Sequence, residues 1–123
     1  MLLRKAWVLA LTLFILSCTR TGKTNMQLIR IVVGPLQVNC YIVFDEKTKE
    51  AMVIDPGDDA PKILYAIKDK GLKVKYIVNT HAHFDHVGAN KEIKDATGAE
   101  LLLHQEDDKL LGNTAGQARM FGM

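Results

Sequence analysis

The sequence has few cysteines, no excess of charge of one sign and no apolar run long enough to cross a bilayer. Only two of its 123 residues are cysteines, so we expect no disulfide. Sixteen basic and fourteen acidic residues are scattered along the chain and give a net charge of +2, whereas a nucleic-acid groove needs a basic stripe. The apolar run at residues 6–16 falls short of the roughly 20 residues that a membrane-spanning helix needs.

The length suits one small domain, and its 48% apolar and 24% charged residues are ordinary for a globular protein. Strands are predicted at 28–33, 38–44, 51–54, 74–78 and 101–103, and helices at 61–70, 87–96 and 105–111, while residues 112–123 show no pattern. Asp58 or Asp59 can cap the first helix. Three strands in series, then helices alternating with strands, predict an α/β sheet with helices on one face. Its strands are apolar on both sides, so the other face also needs cover.

Residues 1–25 differ in kind from the rest of the chain. Arg4 and Lys5 precede the apolar run, which ends in Ile-Leu-Ser-Cys at residues 15–18. This ending resembles the lipobox of bacterial lipoproteins, which implies that Cys18 is lipidated and that residues 19–25 form a tether. The protein would then reside in the cell envelope and meet the membrane only through its lipid anchor. The alternative is a cytoplasmic protein that starts at Met26.

Cys40 stands alone in the second predicted strand. An unpaired cysteine in an apolar pattern is typical of a small buried side chain. We therefore predict no nucleophilic role for Cys40.

Residues 80–86 read Thr-His-Ala-His-Phe-Asp-His and concentrate three imidazoles and a carboxylate after an apolar strand. His81 and His83 are two residues apart, so in an extended segment they point to the same side and can bind a metal ion such as zinc. Asp85 and His86 follow where the chain turns into a helix, and they can reach a second ion. A carboxylate beside a metal-activated water can orient it or take its proton, which makes Asp85 the candidate catalytic residue.

The motif resembles the T-H-x-H-x-D-H signature of the metallo-β-lactamase superfamily, and its surroundings are most similar to the glyoxalase II-like (hydroxyacylglutathione hydrolase-like) members. The resemblance extends to Val-Asn-Cys-Tyr at 38–41 and Val-Ile-Asp-Pro-Gly at 53–57, and covers about residues 26–111. It implies an αββα sandwich, with His81 and His83 on a first metal and Asp85 and His86 on a second. The ions would be zinc, with iron or manganese as alternatives. Asp55 would support the site from below or, alternatively, be a turn residue capping the next helix.

The family pattern also needs a third first-site histidine, a bridging aspartate and a final histidine from its C-terminal half. The only other histidine is His104, which we interpret as a loop or helix-start residue. We therefore expect residues 26–123 to be a partial domain, the N-terminal half of the sandwich, from a truncated hydrolase of a small-molecule thioester. The alternatives are a non-catalytic, lipid-anchored remnant and an exported β-lactamase-like enzyme. The sequence leaves the oligomeric state open.

Overall fold

The computed structural model describes residues 25–103 and 112–120. The leader with Cys18, the predicted helix at 105–111 and His104 lie outside the described residues. Across the two described ranges, none of the helices combines the length and the apolar character that crossing a membrane requires.

Five strands form one sheet in the order of the chain. They are β1 (Met26–Val33), β2 (Val38–Asp45), β3 (Glu50–Ile54), β4 (Lys73–Val78) and β5 (Glu100–Leu102). The first three are antiparallel neighbours, whereas β4 and β5 are added in parallel. A register shift between Ala51 and Met52 adjusts the β3–β4 pairing. All five predicted strands are present, which confirms the predicted α/β class.

Four helices are described: α1 (Ala60–Asp69), α2 (Phe84–Val87), α3 (Asn90–Thr97) and α4 (Thr114–Met120). The helix predicted at 87–96 is present as α3, but it begins at Asn90, and the separate short helix α2 precedes it. The amide of Ala89 donates to the carbonyl oxygen of Pro56, at 2.9 Å, and this bond ties the break to the turn after β3. No helix or strand was predicted at residues 112–123, and this was wrong for α4, which spans Thr114–Met120.

The predicted side-chain cap of α1 is also wrong. Asp59 occupies the N-cap position, but its φ of 54° is left-handed and its side chain makes no capping bond. The Asp59 carboxylate instead accepts a hydrogen bond from the Gly34 amide in the β1–β2 turn, at 3.0 Å. A contact 25 residues away thus replaces the local cap.

The core lies between the sheet and helices α1 and α3. Alternate strand residues such as Ile42 and Val53 are fully buried against Ile63 of α1 and Ile93 of α3. Cys40 belongs to the same cluster and is 0% exposed, as predicted for a small buried side chain.

The opposite face of the sheet is also apolar, but it is open. Leu28 is 61%, Tyr76 43% and Leu102 40% exposed. From Leu28 onward in β1, and in β5, the exposed side chains alternate with more buried ones, as the period of a strand requires. On β4 two successive residues, Lys75 and Tyr76, are exposed, next to the register shift in the β3–β4 pairing. The face that the sequence predicts to need cover is therefore exposed on β1, β4 and β5.

Candidate metal centre

The histidine-rich segment begins where the parallel strands β3 and β4 end. Asp55 follows β3, and Asn79 and Thr80 follow β4. Because β3 and β4 are parallel, both strands deliver polar residues to the same edge of the sheet. This is the usual position of active sites in α/β sheets.

Asp55 supports this edge rather than capping a helix. It is 5% exposed and has a left-handed φ of 51°, a conformation that aspartate tolerates better than most residues. Its carboxylate accepts two hydrogen bonds from Thr80, one from the backbone amide to Oδ1 at 2.8 Å and one from the hydroxyl to Oδ2 at 2.6 Å. Of the two readings of Asp55, the structure favours support of the site.

The three imidazoles of the motif lie side by side. The ring centroids of His81 and His83 are 4.5 Å apart and nearly perpendicular, and those of His81 and His86 are 4.0 Å apart. Nε2 of His86 lies 3.5 Å from Oδ2 of Asp85. The structure therefore brings all four predicted ligand side chains to one end of the sheet.

His86 also contacts Asp55. Its Nδ1 lies 3.1 Å from Oδ2 of Asp55, but the two atoms are not aligned as a hydrogen bond. This buried nitrogen is thus without a hydrogen-bond partner in the structure. A buried polar atom that lacks a partner carries a free-energy cost, which a further ligand in the site could offset.

The donor types fit a transition metal, because imidazole and carboxylate are ligands of zinc, iron and manganese alike. The geometry is incomplete: within the described residues, no group of three or more histidine, cysteine, aspartate or glutamate side chains is arranged to hold an ion. A catalytic zinc site normally takes three protein ligands. The four side chains of the motif therefore remain candidate ligands, and the described residues do not form a complete metal site.

Two asparagines that were given no role in the sequence reading hold the segment in place. Asn79 and Asn90 are buried and pair through their amides, at 2.7 Å and 3.2 Å, and Nδ2 of Asn79 also lies 3.1 Å from the carbonyl oxygen of His86. The available signal was the position of Asn79 directly after an apolar strand, whereas Asn90 lay inside the helix predicted at 87–96.

Gln117 of α4 is a second residue that the sequence reading missed. Its Oε1 accepts from the amide of Phe84 at 3.2 Å, and its Nε2 lies 3.5 Å from the carbonyl oxygen of Ala82. Both contacts reach across more than thirty residues into the histidine segment, and no local pattern predicts them.

A cavity of about 190 Å³ opens beside Asp85. The β1–β2 turn forms one wall with Leu36, and Phe84 forms another. A small organic group in this cavity would contact Leu36, Phe84 and Asp85, whereas His81, His83 and His86 do not line it.

Residues 33–121 match the model of the metallo-beta-lactamase superfamily. Hydroxyacylglutathione hydrolase GloC of Haemophilus influenzae is 37% identical over 94 residues, which cover 76% of this chain and 44% of that protein. BLEG-1, a B3 metallo-beta-lactamase, superposes with a TM-score of 0.73 at 34% identity, over 79% of this chain and 47% of that one. TTHA1623, solved in a di-iron-bound form, gives 0.70 at 38% identity, over 77% and 47%.

The chain spans less than half the length of each of these three proteins. The matched residues nevertheless include strands β2 to β5, the histidine segment and helix α4. The chain belongs to the metallo-beta-lactamase superfamily.

Proposed function

We propose that this chain forms the metal-binding part of a hydrolase that cleaves a thioester of a small molecule. The observation that carries the proposal is the packing of three imidazoles beside Asp85, with ring centroids 4.0 Å and 4.5 Å apart. Similarity to a hydroxyacylglutathione hydrolase supports a thioester over other carbonyl compounds.

In this proposal His81 and His83 hold one ion, and Asp85 and His86 contribute to a second. Zinc is the first candidate, and iron is supported by the di-iron form of TTHA1623. A bound divalent ion supplies Lewis acidity, which polarises a carbonyl and makes water a stronger acid.

The chain's own residues would orient the substrate and handle the proton. The carboxylate of Asp85 lies beside the imidazole of His86, with Oδ2 3.5 Å from Nε2, and in this proposal it accepts a proton from an attacking water. Leu36 and Phe84 would bind the apolar part of the acyl group. Asp55 would keep the segment that begins at Thr80 in position through the two hydrogen bonds that it accepts from that residue.

The missing ligands are part of the proposal. We infer that they come from a C-terminal half beyond this chain, because the similar proteins are about twice as long. The DNA immediately downstream of this reading frame should then encode a segment similar to Gly-His-Thr, which contains a further histidine. A downstream region without such a segment would favour a non-catalytic remnant.

The activity is tested by comparing the 123-residue chain with a version extended by the downstream segment, each with zinc, iron or manganese. We expect the extended form to hydrolyse a glutathione thioester and to lose this activity on chelation or in His83→Ala. Lys91→Ala, which removes an exposed ion pair with Asp95, is the matched surface control and should keep full activity. A metal-loaded extended form without thioesterase activity would contradict the proposal.

The superposition on BLEG-1 supports a second candidate, a β-lactamase-like enzyme. The same extended form, offered a carbapenem and a cephalosporin, tests it. Hydrolysis of either lactam with no thioester hydrolysis would replace the first proposal by the second.

We also propose that Cys18 anchors the protein in the cell envelope through a lipid. In cells, the wild-type chain should label with a radioactive fatty acid and sediment with membranes. Cys18→Ser should lose both properties, whereas Cys40→Ser serves as the cysteine control. An unlabelled wild-type chain that starts at Met26 would support the cytoplasmic alternative.

A further inference from the structure

The hydroxyl group of Thr80 lies between the carboxylate of Asp55 and the imidazole of His81. Its Oγ1 is 2.6 Å from Oδ2 of Asp55 and 2.9 Å from Nδ1 of His81. The three side chains form a continuous chain of hydrogen bonds from a buried carboxylate to a candidate metal ligand.

Counting protons fixes the direction of these hydrogen bonds. A carboxylate only accepts, and a hydroxyl has a single proton to donate. The hydroxyl group of Thr80 therefore donates its proton to Oδ2 of Asp55, in the shorter of the two contacts. The second contact of Oγ1 must then use an oxygen lone pair, so Nδ1 of His81 is the donor and carries a proton.

We propose that Thr80 is a positioning residue that selects the Nδ1–H tautomer of His81 and leaves the lone pair on Nε2 for a metal ion. The tautomer of a histidine ligand is set by the hydrogen bond that its other ring nitrogen makes. The inference rests on the metal site of the proposed function, but it requires neither a particular substrate nor catalysis.

The hydroxyl is held in this orientation from two sides. The backbone amide of Thr80 donates to Oδ1 of Asp55 at 2.8 Å, so the carboxylate fixes the residue at two points. Asp55 is itself anchored, because its amide donates to the carbonyl oxygen of Val78 at 2.9 Å. Rotation of the Thr80 side chain would break the contacts to Asp55 and His81 together.

Nitrogen-15 NMR of the metal-free, full 123-residue chain measures the tautomer directly. Imidazole resonances are recorded under alkaline conditions, where an ordinary histidine is neutral, and His81 is assigned by its loss in His81→Gln. We expect wild type and Thr80→Ser to show the Nδ1–H form. Thr80→Val keeps the side-chain shape without the hydroxyl, so the Nε2–H form should gain population.

Zinc affinity gives the second readout, measured by competition with a chromophoric chelator. We expect Thr80→Val to bind zinc roughly 10- to 100-fold more weakly, the usual effect of losing a hydrogen bond behind a metal ligand, and Thr80→Ser to stay close to wild type. Thr48→Val is the matched control, because the Thr48 hydroxyl contacts only the β2–β3 turn in the structure. Circular dichroism compares the folding of all four proteins.

The outcomes separate this inference from the proposed function. An Nε2–H form of His81 in the wild-type chain overturns the inference, even if Thr80→Val does not fold. Equal zinc affinity of Thr80→Val and Thr80→Ser overturns it as well. Failure of the extended form to hydrolyse a thioester affects only the proposed function, since neither NMR nor zinc binding depends on that reaction.

Discussion

Gly57 packs directly against the backbone carbonyl of Asp85, so that a Cβ atom at Gly57 would overlap the carbonyl oxygen. This contact joins the turn after β3 to the first turn of α2. Gly88 makes the reciprocal approach, because a Cβ atom there would overlap the carbonyl oxygen of Gly57. Two glycines thus allow the backbone of the candidate metal ligands to sit against the Asp55 turn.

Gly57→Ala should therefore displace Asp85 and His86. We expect a loss of about 1–3 kcal/mol in the free energy of unfolding, as for an overpacked core, together with weaker zinc binding. Urea unfolding and zinc titration measure the two effects. Gly71→Ala is the control, because its Cβ meets no atom within 4 Å and its cost arises only from a φ of 64°. Equal zinc affinity in both variants would contradict the prediction.

Removing one member of the Asn79–Asn90 pair should destabilise the fold by about 1–3 kcal/mol, because the remaining buried amide loses its partner. The double variant Asn79→Ala/Asn90→Ala should cost less than the sum of the two single variants. Thermal or urea unfolding of the wild type, the two single variants and the double variant completes this double-mutant cycle. Asn39→Ala, on an exposed position of β2, should change stability by less than about 0.5 kcal/mol. Additive losses would show that the pair is not coupled.

Gln117→Ala should loosen the histidine segment while leaving the sheet intact. The side chain accepts from the amide of Phe84, so we expect that amide to exchange with deuterium faster in the variant. Gln117→Glu keeps an acceptor for Phe84 and should preserve its protection. Amides of β2 serve as the internal reference, and faster exchange there as well would indicate general unfolding instead.

Cys40 should be inert in the folded protein. Burial, and to a lesser extent the charge of Asp55, raises the pKa of its thiol to about 12. At pH 8 only about one thiol in ten thousand would be ionised, so a Cys18→Ser variant should react with a thiol reagent only after unfolding. The pKa of this thiol is higher in the folded protein than in the unfolded chain. Its contribution to the free energy of unfolding is therefore fully present below about pH 9 and is lost between about pH 9 and 12. Rapid labelling without denaturant would contradict the prediction.

The open face of the sheet should bind apolar dyes and promote association of the 123-residue chain. Leu28 and Leu102 are 61% and 40% exposed, so Leu28→Lys/Leu102→Lys should lower dye binding and association without unfolding the protein. Ile42→Lys, at a fully buried position of β2, is the contrasting variant and should unfold it. Light scattering and dye fluorescence measure the outcome. A wild-type chain that stays monomeric and binds no dye would contradict the prediction.

Local patterns in the sequence were sufficient for the strands and for the identity of the candidate ligands. Alternation along β2 places Cys40 and Ile42 on the buried face, because side chains of a strand point alternately to opposite sides. The spacing of His81 and His83 puts two imidazoles within reach of each other for the same reason. Such features depend on neighbours in the chain, which the sequence displays directly.

The tertiary structure decided what holds those residues in place. Asp55 meets Thr80, and Asp59 meets Gly34, each across 25 residues, and Gln117 reaches Phe84 across 33. These hydrogen bonds form only after the sheet has brought distant segments together, so no spacing in the sequence encodes them. The sequence by itself determined which donors are available, and only the packed backbone decided how they are oriented.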